Sequence, residues 1–215
     1  MFPMDIAPNE DYDFKRGQGR VLLIACGALA REIIALIEAN RWSMFDVTCL
    51  PAKLHNYPQQ IPKAVRRKIH ANRDRYAKIF VLYGDCGTGG RLDAVLEEEG
   101  AQRIAGPHCY SFFSGNVAFE ARADEDVTSF FLTDYLARHF DKLIWEGLGI
   151  DRHPELLPIY FGNYEKLVYL AQTDDRALAD KAEAAAKMLG LAYERRFTGF
   201  GDLGLFLSQT QAEAR

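Results

Sequence analysis

The sequence predicts an α/β protein, a mainly parallel, doubly wound sheet with helices on both faces, built as one domain or as two lobes. Three observations carry that expectation. Short apolar runs such as Val21–Ala25 and Ile79–Tyr83 are bounded by glycine-containing turns, as buried parallel strands are. Segments with apolar residues at helical spacing separate those runs. The resulting β-α-β-α-β-α-β alternation is the order in which a chain lays down parallel strands and the helices that cover them.

The elements follow in turn. Residues 1–18 are polar, of mixed charge, and contain Pro3 and Pro8; they read as a loose leader. Val21–Cys26 is the first strand, and Ala28–Ala39 is a helix with Leu29, Ile33, Leu36 and Ile37 on one face. Phe45–Leu50 is the second strand, stopped by Pro51, and the loop Leu54–Pro62 leads into a helix over Lys63–Arg75. Lys78–Tyr83 is the third strand, and the glycine-rich stretch Gly84–Gly90 turns into a helix over Leu92–Glu99. Arg103–Ala105 is a short fourth strand. Beyond Cys109, Thr128–Leu148 reads as a long amphipathic helix from the spacing of Phe131, Tyr135, His139, Leu143 and Ile144. Lys166–Ala171 is a strand, Asp174–Leu189 an Ala-rich helix ended by Gly190, and Leu191–Phe197 a last strand before a terminal helix. One α/β domain is thus expected over 19–207, with lobes at 19–127 and 128–207 and a polar tail at 208–215.

Composition narrows the function classes. An apolar fraction of 48% is ample for a packed core, and the net charge of −4 gives no electrostatic reason to expect nucleic-acid binding. The basic stretch Lys63, Arg66, Arg67 and Lys68 reads as a solvated helix face. The start lacks the basic and apolar regions of a secretion signal, and no apolar run approaches the roughly 18 residues of a membrane span. The expectation is a cytoplasmic protein with no membrane partner, whose four cysteines are reduced. Widely spaced reduced cysteines are ligands, nucleophiles or core residues rather than a disulfide framework.

Cys26, Cys86 and Cys109 each lie just beyond a predicted strand. In an open α/β sheet the carboxyl ends of the strands share one edge, where ligands bind, so the three thiols are expected to converge there. Three sulfur ligands suit a [4Fe–4S] cluster or zinc with one open coordination position. Without a C-x-x-C pair, and with ligands drawn from separate strand ends, the cluster is the preferred expectation. Cys49, inside its strand, reads as core. His55, in the loop after the second strand, is the candidate fourth ligand or general base, and Glu32 on the first helix is the other acid/base candidate. The amides of Gly87, Thr88, Gly89 and Gly90 are a candidate anion cradle, against the blander reading of a turn around a ligating cysteine. The stretch fits neither the Walker pattern nor a dinucleotide fingerprint. Asp85 is a proton carrier or a cap. His108 adjoins Cys109; in an extended segment the two would point opposite ways, which leaves His108 out of the site. Tyr110, the Phe-rich stretches, His70, His139 and His153 read as structural.

With these motifs in place, the chain resembles the domain-of-unknown-function 1638 family of bacteria and archaea. The resemblance rests on Ala25-Cys26-Gly27-Ala28-Leu29 with Glu32-Ile33, on Leu50–Asn56, on Tyr83-Gly84-Asp85-Cys86-Gly87, on Gly106-Pro107-His108-Cys109-Tyr110, and on Phe131-Leu132-Thr133, Leu170 and Gly190–Glu194. It spans roughly residues 20–207. Members often occur beside corrinoid-dependent methyltransferases of methylated-amine metabolism, which implies a link to one-carbon transfer by association rather than mechanism. The expected function is a cysteine-ligated metalloprotein acting on a small substrate in one-carbon or sulfur metabolism. The alternative is a non-catalytic accessory protein that carries a metal or cofactor to a corrinoid methyltransferase or corrinoid protein. A metal-free small-molecule-binding module is the third.

Overall fold

The computed structural model describes residues 7–15 and 20–213 and divides into two compact units. One contains Met1–Cys109 together with Leu203–Arg215, the other Tyr110–Asp202. The division expected after residue 127 therefore falls after Cys109, and the chain's last segment returns to the first unit.

The first unit holds a five-stranded sheet of β1 (Tyr12–Phe14), β2 (Val21–Cys26), β3 (Phe45–Leu50), β4 (Lys78–Leu82) and β5 (Gln102–Arg103), in the order β1-β3-β2-β4-β5. The last four are mutually parallel, and β1 pairs antiparallel with β3, Tyr12 opposite Cys49. That pairing corrects the loose-leader expectation for residues 12–14; residues 1–6 and 16–19 lie outside the described residues. All six residues of β2 are buried, which explains its unbroken apolar run: a central parallel strand is covered on both faces. Burying each Leu or Ile of that strand stabilises by roughly 1.5–3 kcal/mol.

Three helices connect these strands: α1 (Ala30–Ala39), α2 (Ile61–Asn72) and α3 (Arg91–Glu99). α1 buries Ile33, Ile34 and Ile37, and α2 buries Ile61, Ala64, Val65 and Ile69, each a single apolar stripe. α3 stops at Gly100, whose positive φ of 65° is the left-handed C-cap conformation. The glutamates at its C-terminal end oppose the helix dipole, and α2 compensates. Arg66 and Arg73 pair with Glu98 and Glu99, and the His70 ring lies 2.9 Å from the Glu99 carboxylate.

The chain moves outward from β2 to β3 and then crosses back to β4 on the other side of β2. With right-handed crossovers, this reversal puts α1 on one face of the sheet and α2 and α3 on the other. The C-terminal helix Gly201–Glu213 covers part of this unit: Phe206 meets Phe80 edge-on with centroids 6.2 Å apart, and Gly204 lies beside Leu36. The polar tail expected from residue 208 continues this helix as far as Glu213.

The second unit is a three-stranded parallel sheet, β6 (Ser129–Thr133), β7 (Lys166–Ala171) and β8 (Ala192–Phe197), in that order. The helices here are α4 (Ser111–Ser114), α5 (Asn116–Ala121), α6 (Asp134–Arg138), α7 (Leu156–Phe161) and α8 (Arg176–Leu189). The long helix expected over Thr128–Leu148 is replaced by β6, α6 and a π-helical turn at Asp141–Trp145. Its first third pairs with β7 residue for residue, Phe131 opposite Val168, and pairing outweighs the four-residue spacing. α8 is capped by Asp175, which accepts from the Ala177 amide at 2.9 Å, and ends at Gly190. Asp134 joins the ends of β6 and β7: its buried carboxylate accepts from the Tyr169 hydroxyl at 2.7 Å, the Gln172 amide at 3.1 Å and the Thr173 amide at 3.0 Å.

Asp134→Ala leaves those donors unpaired in the interior and should lower unfolding free energy by about 3 kcal/mol or more. Urea unfolding followed by circular dichroism measures this; an unchanged midpoint would remove Asp134 as the clamp of the second sheet.

Candidate functional site

The strand order reverses between β2 and β4, and open α/β sheets bind ligands at the carboxyl ends of strands at such a reversal. β2 ends in Cys26. The segment after β4 continues through Tyr83, Gly84 and Asp85 to Cys86, and the segment after β5 runs through Gly106 and Pro107 to Cys109. The two segments zip together: the Asp85 amide donates to the Gly106 carbonyl at 2.9 Å and the Cys86 amide to the Pro107 carbonyl at 2.7 Å. Arg103 braces the second segment, donating to the Ile104 carbonyl at 2.9 Å while its guanidinium pairs with Asp93 at 2.6 Å.

Gly84 allows this approach. A Cβ there would stand 2.6 Å from the His108 carbonyl carbon and 2.9 Å from the Cys109 nitrogen, inside van der Waals contact with backbone. Cys86 itself sits at φ 48°, in the left-handed region that costs a non-glycine residue free energy and is populated where surrounding bonds enforce it.

The structure brings the thiols together. The Cys86 and Cys109 sulfurs are 3.2 Å apart, and the Cys26 thiol is a further hydrogen-bond neighbour of Cys109. The Cys109 amide donates to the Cys86 sulfur at 3.3 Å, and the Gly84 amide to the Cys109 sulfur at 3.4 Å. Cys26 and Cys109 are buried, whereas Cys86 is half-buried. Cys49 is fully buried within β3, as core.

Charge is unevenly held among these thiols. The Cys109 thiol, the His108 side chain, the Cys109 amide and the charge of His55 together lower the Cys86 thiol to about 5, against the burial that would raise it. Cys109 moves the other way, held well above the ordinary thiol value by the Cys26 and Cys86 sulfurs and by burial. Cys86 is therefore the more readily ionised thiol and Cys109 the less. The buried Tyr83 hydroxyl faces the Cys26 thiol, with the Cys109 and Cys49 thiols as its other polar surroundings. Burial and those sulfurs keep it protonated.

The remaining candidates separate. His55 is solvent-exposed at the rim; the protein packed around it disfavours the imidazolium and lowers its pKa, while Cys86 pulls the other way. Glu32 is buried in the first turn of α1. Two amides of the expected cradle, those of Gly89 and Gly90, are already taken by the chain's own carboxylate. The Gly89 and Gly90 amides donate to Asp85 at 3.1 and 2.8 Å, and the Thr88 hydroxyl donates to it at 2.7 Å. Against burial, the Gly90 amide, the Thr88 hydroxyl and the Gly89 amide hold the Asp85 carboxyl at about 2. This cap contributes above the ordinary carboxylate range and is lost as pH falls toward 2.

His108 is a correction: residues 106–110 are bent, not extended, so side-chain alternation does not apply and His108 reaches the Cys86 thiol. Tyr83 and Arg103 were also not singled out by the sequence. A tyrosine ending an aliphatic strand and an arginine at the end of a two-residue strand are the signals that mark them.

Among the described residues, no group of three or more His, Cys, Asp or Glu side chains stands in a metal-holding arrangement as it is. The donor set is nonetheless of a soft-metal kind. Two thiolates on one tetrahedral zinc ion stand about 3.8 Å apart, from bonds of about 2.3 Å, whereas cubane ligands sit on separate irons and farther apart. The 3.2 Å contact is nearer the first spacing.

A family model described as "Protein of unknown function (DUF1638)" matches residues 49–207. The motifs of Cys86 and Cys109 fall inside the match, and that of Cys26 precedes it. No curated protein and no solved structure matches the chain.

In protein treated with a chelator, iodoacetamide should label Cys86 with a rate that is flat above about pH 6 and falls below about pH 5, since the thiolate is the nucleophile. Cys49, its thiol pushed up by burial, should stay unlabelled. In Gly84→Ala, which forces the two segments apart, the labelling midpoint should rise toward the ordinary thiol value of 9.0. A midpoint near 9 in the unaltered protein would contradict the thiolate assignment.

Proposed function

As the chain belongs to the DUF1638 family, whose function is unknown, we propose that its three-thiol crevice holds a soft metal centre and presents it to a small substrate in one-carbon or sulfur chemistry. The observation that carries this reading is the meeting of Cys26, Cys86 and Cys109, delivered by three different strand ends to the point where the strand order reverses. Thiol contact at 3.2 Å favours a single ion such as zinc over the [4Fe–4S] cluster preferred from sequence. The three cysteines are the ligands. A bound ion of this kind keeps its thiolates deprotonated and activates a substrate thiol or oxygen as a Lewis acid. His108 orients Cys86 through a hydrogen bond, and Tyr83 offers a buried hydroxyl to the ligand sulfurs. His55, exposed and biased toward the neutral imidazole, would take a proton from an arriving substrate.

A second reading draws on the same short contact: Cys86 and Cys109 form a redox dithiol, Cys86 attacking and Cys109 resolving. The accessory alternative, delivery of the metal to a corrinoid methyltransferase, would use the same ligands.

Metal analysis and visible spectroscopy of protein purified without oxygen separate these. The expected result is a colourless preparation with close to one zinc per chain. Cys26→Ser, Cys86→Ser and Cys109→Ser should each lose most of it, and Cys49→Ala should keep it while costing about 1–2 kcal/mol of stability. Brown protein with iron and sulfide would assign a cluster to the same residues. A preparation with neither metal, but with a Cys86–Cys109 disulfide formed by oxidised glutathione, would leave the dithiol.

A further inference from the structure

A second concave site opens at the carboxyl end of β3, on the far side of the loop that carries His55. It is a cleft of about 620 Å³. Its walls carry Lys53, Lys63, Arg67 and Lys68, with the amides of Gln59 and Gln60, over an apolar floor that includes Leu50 and Leu54. Asp11 is the one carboxylate in the lining, and it is ion-paired to Lys68 at 2.8 Å. Lys53, Lys63 and Arg67 have no ion pair among the described residues.

The arrangement sorts the cations of α2 into two sets. On the side toward α3, Arg66, His70 and Arg73 all bond to Glu98 or Glu99. On the side toward the cleft, cations one turn apart stand without carboxylates, in a chain with 30 acidic against 26 basic residues. Like charges gathered in a concavity repel one another, and an anion relieves that repulsion while gaining charge-assisted hydrogen bonds. The cleft's volume is that of a small-molecule site rather than of a track for a polymer.

We propose that this cleft binds a phosphorylated small molecule, Lys53, Lys63 and Arg67 taking the phosphate oxygens and the Leu50–Leu54 floor taking an apolar part. The basic stretch of α2 is then divided between a structural face and a binding face. The assignment stands apart from the three-thiol centre and does not need a metal there.

Isothermal titration calorimetry with pyrophosphate as probe tests it. The unaltered protein should bind pyrophosphate with an affinity that falls steeply as sodium chloride rises. Lys63→Glu/Arg67→Glu should weaken binding at least tenfold, and Lys181→Glu, on the second unit, should leave it unchanged. Both cleft residues are exposed, and the pH profile of Cys86 alkylation reports whether the double variant keeps its fold; Lys53→Gln provides a milder variant with the same expected direction. Absence of binding to the unaltered protein, or equal binding by the double variant, would overturn the assignment. So would tight binding of a short oligonucleotide with no response to pyrophosphate, which would make the face a nucleic-acid contact.

Discussion

The close passage of Gly84 against His108 and Cys109 is the contact on which the crevice depends. Parallel strands diverge beyond their last ladder bond unless something continues the pairing. Here the segments after β4 and β5 remain bonded through Asp85 to Gly106 and Cys86 to Pro107. No side chain larger than hydrogen fits between them. Cys86 takes up the resulting strain in its backbone, and Asp85 anchors the turn beyond it by capping Gly89 and Gly90. The sulfurs therefore meet by backbone placement, before any ligand contributes.

Such placement has an electrostatic result. Thiols brought this close cannot all ionise, so the charge settles where donors converge and the neighbour retains its proton. Cys86 has the Cys109 thiol, the Cys109 amide and His108 as donors, whereas Cys109 is deep among sulfurs with the Gly84 amide as its backbone donor. The half-buried sulfur is the more readily ionised one and the buried sulfur the less. The site thus presents its nucleophilic atom on the solvent side.

Much of this was legible in the sequence. Unbroken apolar runs encode doubly covered strands, so β2, β4 and β7 could be read directly, and the place of Cys26, Cys86 and Cys109 just beyond strand ends pointed to their convergence. What escaped reading depends on contacts distant in sequence or on local bends. The three residues of β1 are too few to show a period, and only their pairing with β3 makes them a strand. Phe130–Thr133 carries an apolar pattern that serves helix and strand equally, and β7 decides between them. His108 was excluded by an alternation rule that holds only where the backbone is extended. The occupation of the Gly89 and Gly90 amides follows from Asp85 lying three residues before Thr88, a local cap pattern that the glycines overshadowed. The meeting of Phe206 with Phe80 has no local signature at all.

β1 has a consequence beyond topology. Without it, the fully buried strand β3 would form the border of the sheet, with a row of unpaired amides and carbonyls beside an apolar surface. The antiparallel pairing of Tyr12–Phe14 turns that border into a short strand with Asp13 at its centre and Lys15 paired to that aspartate at 3.1 Å. On the opposite border, β5 is only two residues long. Each margin is thus brief, and one is charged, so the sheet offers a neighbouring chain little to extend. β1 thus covers the border that β3 would otherwise expose, and a shortened chain beginning at β2 would be prone to add strands from its own copies.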